Sequence, residues 1–145
     1  MIAAIVLAAG TSSRYGANKL LLPFGDNCVI RTATQRILDA HPNHTIVVTG
    51  HDCEHVSAQL SGLPVTLAHN PRYREGEMIS SIKTGLAALE RTPARAALVA
   101  LGDMPLLPTA IVRQMMLAYR LRCGDIIAPR FERLRGHPVL IARRF

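Results

Sequence analysis

The chain has 145 residues, 49% hydrophobic and 19% charged, which is enough apolar material for one packed domain and too much for a disordered chain. No apolar run approaches the roughly 20 residues of a membrane-spanning helix, and the apolar stretch Met1 to Gly10 has no basic leader, so it predicts a buried strand and not a secretory signal. The net charge of +7 is uneven: residues 1–110 carry nine basic and eight acidic side chains, whereas residues 111–145 carry eight arginines against Asp125 and Glu132. Such a tail suits nucleic acid, anionic lipid, a polyanionic small substrate or simply a solvated face. Aromatic residues are few and Trp is absent, so the interleaved pattern that stacks bases is missing and nucleic acid ranks last as a partner. Cys28, Cys53 and Cys123 are odd in number and none is spaced Cys-x-x-Cys. That argues against a disulfide framework and for a reducing, cytoplasmic setting with no membrane partner.

No repeat or linker breaks the chain, and residues 1–145 read as one domain. Ile2–Leu7 is a short apolar strand ending at Gly10. Cys28–Ala40 has helical spacing at Val29, Ala33, Ile37 and Leu38. A strand over Thr45–Thr49, a helix over Cys53–Leu60 and a strand over Val65–Ala68 follow. Met78, Ile82, Leu86 and Leu89 predict a helix over Met78–Leu89. Ala96–Leu101 is a strand, Thr109–Leu121 a helix, and Asp125–Ala128 and Val139–Ala142 are strands. Strands that are apolar throughout, alternating with helices, predict a doubly wound α/β sheet, mostly parallel, with helices on both faces. Ligands of such sheets bind beyond the carboxyl ends of the strands, so the strand-to-loop junctions carry the functional argument.

The first junction reads Leu7-Ala8-Ala9-Gly10-Thr11-Ser12-Ser13-Arg14-Tyr15-Gly16-Ala17-Asn18-Lys19. Small residues allow close backbone approach to a ligand, backbone N–H groups in such a turn suit phosphate oxygens, and Arg14 and Lys19 add two cations. It is neither a Walker loop nor G-x-G-x-x-G, and on composition alone it is equally a surface loop. At the fourth strand's end, Leu101-Gly102-Asp103-Met104-Pro105 places one carboxylate where a metal-bound triphosphate can meet it; a turn aspartate is the plainer alternative. His51 and His55 stand four apart, but the zincin order is broken by Asp52 and no third ligand is evident, which leaves a solvated helix face. Gly-x-Ser-x-Gly does not occur.

Taken in order, LAAG-x-S-x-R-x-G-x-x-K resembles the signature of the MobA-like nucleotidyltransferases, and ANKLLLPFGD and the GDMP segment resemble that family too. Within it the resemblance is nearest to the molybdenum cofactor cytidylyltransferases. It implies a Rossmann-like nucleotidyltransferase fold in which the backbone of Leu7, Ala8, Ala9 and Gly10 meets a nucleotide. It further implies that Arg14 and Lys19 bind the triphosphate and that Asp103 holds Mg²⁺. Asn70, Gly76, Ser80 and Ser81, in a segment similar to the family's G-M-x-x-S-L region, are implied near the nucleotide, although Glu77 interrupts the pattern and the helix start explains them as well. His137, in a Gly-His-Pro element, is implied on the acceptor side of the cleft or as a turn residue. The implied reaction is transfer of CMP from CTP to molybdenum-bound molybdopterin with release of pyrophosphate, with a molybdoenzyme or its chaperone as a further partner. Ala9, where guanylyl relatives tend to have Gly, leans toward CTP. Transfer to another phosphorylated acceptor, such as a sugar or alcohol phosphate, and a non-catalytic nucleotide- or cofactor-binding protein are the alternatives. Family members usually continue past the equivalent of Phe145 with a further acidic element, so the expectation is a fold lacking its C-terminal part.

Overall fold

A computed structural model of the chain describes residues 1–11, 17–75, 78–132 and 134–145. In chain order its elements are β1 (Ile2–Ala8), β2 (Pro23–Phe24), β3 (Asn27–Cys28), α1 (Val29–Leu38), β4 (His44–Thr49), α2 (Cys53–Gln59), β5 (Thr66–His69), α3 (Met78–Leu89), β6 (Ala96–Leu101), α4 (Thr109–Arg120), β7 (Ile126–Ile127), β8 (Arg130–Phe131), β9 (Leu134–Arg135) and β10 (Val139–Ala142). Single 3-10 turns lie at Lys19–Leu21 and Tyr73–Glu75.

Six strands form one sheet in the order β5-β4-β1-β6-β10-β7. β1 lies at its centre, parallel to β4 (Ala3 opposite His44 through Ala8 opposite Thr49) and to β6 (Ile2 opposite Ala96 through Leu7 opposite Leu101). β5 adds in parallel beside β4. Each of these parallel pairs is bridged in sequence by a helix, as parallel strands require. β10 runs antiparallel to both β6 and β7, because only the β8–β9 hairpin, and no crossover helix, separates it from β7. The mostly parallel, doubly wound α/β arrangement is therefore present, with its antiparallel strand near one edge.

The alternation of β1 divides its side chains between two cores. Ile2, Ala4, Val6 and Ala8 join Ile30 and Ile37 of α1, Val56 of α2, and Val112 and Met115 of α4. Ala3 and Ile5 point the other way, into a core with Ile46, Val48 and Leu89 of α3. Three helices thus cover one face and α3 the other. The outer part of the α3 face, between Leu86, Ile141 and Phe145, is an apolar cleft.

Of the four apolar residues spaced along α3, Leu89 is buried and Ile82 packs partly against the core. Ser81, Gly85 and Leu89 face inward, while Met78 and Leu86 are exposed. Gly85 explains the rotation: a Cβ there would stand 2.6 Å from Ile5 Cγ2, so the bare backbone lets the helix settle onto β1 and β4. In α1 the buried residues are Ile30, Ala33, Thr34 and Ile37, not Val29 and Leu38. The predicted strand at Asp125–Ala128 shrinks to Ile126–Ile127, and the two short hairpins were not foreseen. In the first of them Gly25 has a φ of 58°, the left-handed conformation that suits a two-residue turn.

The arginines of the last third are dispersed, and several bond to their own fold. Arg113 donates to the Asp39 carbonyl at the end of α1 (2.6 Å), and Arg143 to those of Thr92 and Ala94 (both 3.3 Å). Arg144 pairs with Asp125. Cations at helix C-terminal carbonyls stabilise the helix end, which gives part of the basic excess a local role. Among the described residues no helix is long and apolar enough to cross a membrane.

Candidate nucleotide site

The carboxyl ends of β5, β4, β1 and β6 lie side by side, and Ala8, Asn70 and Asp103 fall at or just past those ends. Ala8 and Ala9, at the end of β1, are buried, whereas Gly10 is exposed and a Cβ on it would meet nothing within 4 Å. The backbone on either side of this turn is tied down. Gly102 N–H donates to the Leu7 carbonyl (2.9 Å), and His51 N–H reaches the Ala9 carbonyl at 3.5 Å.

Two glycines make that closeness possible. A Cβ on Gly102 would lie 2.8 Å from the Leu7 oxygen and 2.7 Å from Ile30 Cδ1. A Cβ on Gly50 would lie 2.8 Å from Ala9 Cβ and 2.9 Å from the Ala9 oxygen. The space that Gly102 opens is thus filled by the first turn of the same chain. In the sequence Gly50 marks only the end of a strand; its partnership with Ala9 depends on β4 lying beside β1, a long-range fact.

Lys19 is carried on the 3-10 turn Lys19–Leu21, whose first free amide, Leu20 N–H, is capped by Asn18 Oδ1 at 3.1 Å, with Leu20 itself buried as the anchor. From there its Nζ reaches Asp103 Oδ2 at 2.7 Å across 84 positions of sequence. Both side chains keep access to solvent, 44% for Lys19 and 33% for Asp103. The cation of the first loop and the carboxylate after β6 therefore meet directly. Arg14, with Ser12, Ser13, Tyr15 and Gly16, lies outside the described residues, as does Gly76.

Asn70, just past β5, is buried, and its side chain bonds to Ser80, Ser81 and the Arg72 amide. The start of α3 is thereby brought to the same edge as Lys19 and Asp103. His137 precedes β10, which enters antiparallel to β6, so this half-buried residue also lies toward the carboxyl end of β6.

The segment expected to be only a solvated helix face is closer to the site than that. His51 abuts the Ala9 carbonyl through its backbone, and its ring packs beside Tyr73 with centroids 6.0 Å apart. Asp52 holds a left-handed φ of 54°, which aspartate tolerates better than most residues, and its carboxylate meets His55 Nδ1 at 2.5 Å. That hydrogen bond lowers the Asp52 pKa, with further help from the nearby His51 and Asn18, and it raises the His55 pKa. Among the described residues no three His, Cys, Asp or Glu side chains converge as a metal cluster. All three cysteines are free.

A mostly parallel sheet that ends in a small-residue turn, with a lysine and an aspartate meeting beside it, is consistent with an α/β nucleotidyltransferase architecture. Residues 4–145 match the model of the MobA-like NTP transferase domain, and the chain belongs to that family. It is 29% identical over 140 residues to the molybdenum cofactor cytidylyltransferase of Escherichia coli K12, covering 96% of this chain and 69% of that one. Among solved structures, Rv0371c of Mycobacterium tuberculosis superposes with a TM-score of 0.86 at 26% identity, covering 99% of this chain and 71% of that one. A nucleotidyl transferase from Methanothermobacter, Mth528, gives 0.79 at 29% identity, covering 98% and 71%.

Proposed function

We propose that the chain binds a nucleoside triphosphate, CTP by preference, and transfers its nucleotidyl group to a phosphorylated acceptor, with molybdopterin carrying molybdenum as the leading candidate. The observation that carries this reading is the meeting of Lys19 Nζ and Asp103 Oδ2 at 2.7 Å beside the Leu7–Gly10 turn. The choice of CTP and of a pterin acceptor draws on the E. coli relative.

The roles follow from charge and position. The Leu7–Gly10 backbone approaches the phosphates, Lys19 exchanges Asp103 for a phosphate oxygen, and Arg14 adds a second cation. Asp103 suits Mg²⁺, because a hard, partly exposed carboxylate at a strand end is the kind of ligand that ion takes together with substrate phosphates and water. When bound, Mg²⁺ neutralises charge on the departing pyrophosphate. An acceptor phosphate oxygen forms the new bond to the α-phosphorus. The bond from that phosphorus to the bridging oxygen breaks, and pyrophosphate leaves with the electron pair. The acceptor phosphate is already ionised near neutral pH, so no protein nucleophile is needed and catalysis is positioning plus charge neutralisation. Ser80 and Ser81 line the nucleoside end, and His137 stands on the acceptor side. The three free cysteines accord with a cytoplasmic setting.

The test is pyrophosphate release from CTP, GTP and ATP with Mg²⁺, in the presence of molybdopterin, a sugar phosphate or no acceptor. Release that needs both CTP and the pterin supports the full reading. Release with the sugar phosphate alone reassigns the acceptor. Triphosphate binding without release under any condition leaves a binding protein.

A further inference from the structure

Asn70 resembles a family position near the nucleotide, but the structure gives it another kind of role. It is only 1% exposed. Its backbone N–H donates to the Thr49 carbonyl at the end of β4 (2.8 Å). Its Oδ1 accepts the Arg72 N–H (3.0 Å). Its Nδ2 donates to Ser80 Oγ (2.9 Å) and to Ser81 Oγ (3.0 Å). The orientation of the amide is fixed by these neighbours, because a flip would set its NH₂ group against the Arg72 N–H. Both amide hydrogens are thus engaged by protein, and almost no surface is left for a ligand.

We propose that Asn70 is a positioning residue of the nucleotide site, acting through Ser80 and Ser81 and not by touching the ligand. The proposal rests on the nucleotide-binding reading above. Through its backbone N–H and its side-chain amide, this one residue ties the end of β4, the loop after β5 and the first turn of α3 into a single wall. Because the amide donates, each serine oxygen acts toward it as an acceptor, and the hydroxyl hydrogens are turned away from it. An aspartate would reverse that polarity and bury a negative charge beside a triphosphate site. Asparagine is thus the residue that both fills the position and makes both serine oxygens accept from it.

The test is a mutant cycle read by calorimetry with CTP and Mg²⁺ on the wild type, N70A, the double variant S80A/S81A and the triple variant. Asn70→Ala is expected to weaken CTP about tenfold in the wild-type background, the scale of one lost buried hydrogen-bonding group, and less than about twofold once both serines are gone. Equal losses in the two backgrounds mean that Asn70 touches the nucleotide itself, and no loss in either means that it serves the fold alone; each result overturns the proposal. Backbone amide exchange on the ligand-free protein gives a second readout. The Arg72 amide and the first turn of α3 exchange faster in N70A, and unchanged exchange at Arg72 refutes the bracket. If N70A does not stay folded, S81A alone removes one arm, and it is expected to show a smaller loss of affinity in the same direction; none would overturn the proposal. A wild type that binds no triphosphate overturns the functional reading and with it the bracket's purpose, while amide exchange separately decides whether the bracket exists.

Discussion

Replacing Lys19 by methionine separates two things that the 2.7 Å contact with Asp103 leaves joined: a strut that stabilises the fold and a cation held ready for phosphate. For the first role the magnitude is small. At 2.7 Å the bare Coulomb attraction is about 1.5 kcal/mol in bulk water and about 6 kcal/mol at an effective dielectric of 20. With side chains 44% and 33% exposed, solvent screening and the entropy of holding a long side chain reduce the net value to about 0.2–1 kcal/mol. For a chain of 145 residues, that is a loss in Tm of at most about 5 °C. The second role is larger, because an ammonium released onto a triphosphate makes charge-assisted hydrogen bonds of about 1.5–3 kcal/mol, or roughly a 10- to 150-fold change in Kd. Methionine keeps most of the stem and removes only the charge. Calorimetry with CTP and Mg²⁺, alongside thermal unfolding without ligand, measures the two effects independently. The expected outcome for K19M is a near-normal melt and a nucleotide Kd raised at least about tenfold. A drop in Tm well beyond 5 °C with unchanged nucleotide affinity would refute the reasoning and make the pair a structural strut.

The other predictions concern the frame around that pair. Gly102→Ala and Gly50→Ala each bring a Cβ within 2.9 Å of the backbone oxygen of the first turn; each is expected to cost about 1–3 kcal/mol of stability in denaturant titration and to weaken nucleotide binding as the turn is pushed away. Gly85→Ala, whose Cβ would stand 2.6 Å from Ile5 Cγ2, should destabilise through the α3–sheet interface without a comparable change in nucleotide affinity in the variant that remains folded. His55 should titrate above its ordinary value of 6.5, because its hydrogen bond and charge interaction with Asp52 favour the imidazolium. Its contribution to stability is therefore present below about pH 6.5 and disappears as pH rises through the folded-state value. Proton NMR of the imidazole checks this, and Asp52→Asn should return the titration toward 6.5; a His55 that titrates normally in the wild type would contradict the pairing.

The order of strands and helices is legible because each central strand carries an unbroken apolar run and is followed closely by Gly10, Gly50 or Gly102. Hydrophobicity alone misplaced the inner face of α3. Helical spacing selects Met78 and Leu86, but Gly85 lets the helix approach β1 so closely that the small residues face inward. The tight hairpins leave no mark in the sequence, because two-residue strands are too short to carry a period of two. At the site, Lys19 and Asp103 are each visible as single residues in loops, and the ordered LAAG-x-S-x-R-x-G-x-x-K and GDMP segments that contain them carry the family resemblance. Their contact across 84 positions exists only because β6 packs directly against β1. Asn70 is visible in the sequence by resemblance alone, and its burial and three side-chain bonds, on which the proposed supporting role rests, depend on contacts that no local pattern shows. The approach of His51 and Gly50 to Ala9 had no local signal, because pairing of β4 with β1 creates it.

In the proposed site, the turn after β1 and the carboxylate after β6 together hold a metal-bound triphosphate. Calorimetric titration of CTP into the wild type and Asp103→Asn, each with and without Mg²⁺, tests it most directly. Mg²⁺ is expected to strengthen CTP binding to the wild type, and this gain is expected to disappear in the variant. Binding that is indifferent to Mg²⁺ in the wild type, or a gain from Mg²⁺ that survives in Asp103→Asn, would contradict it.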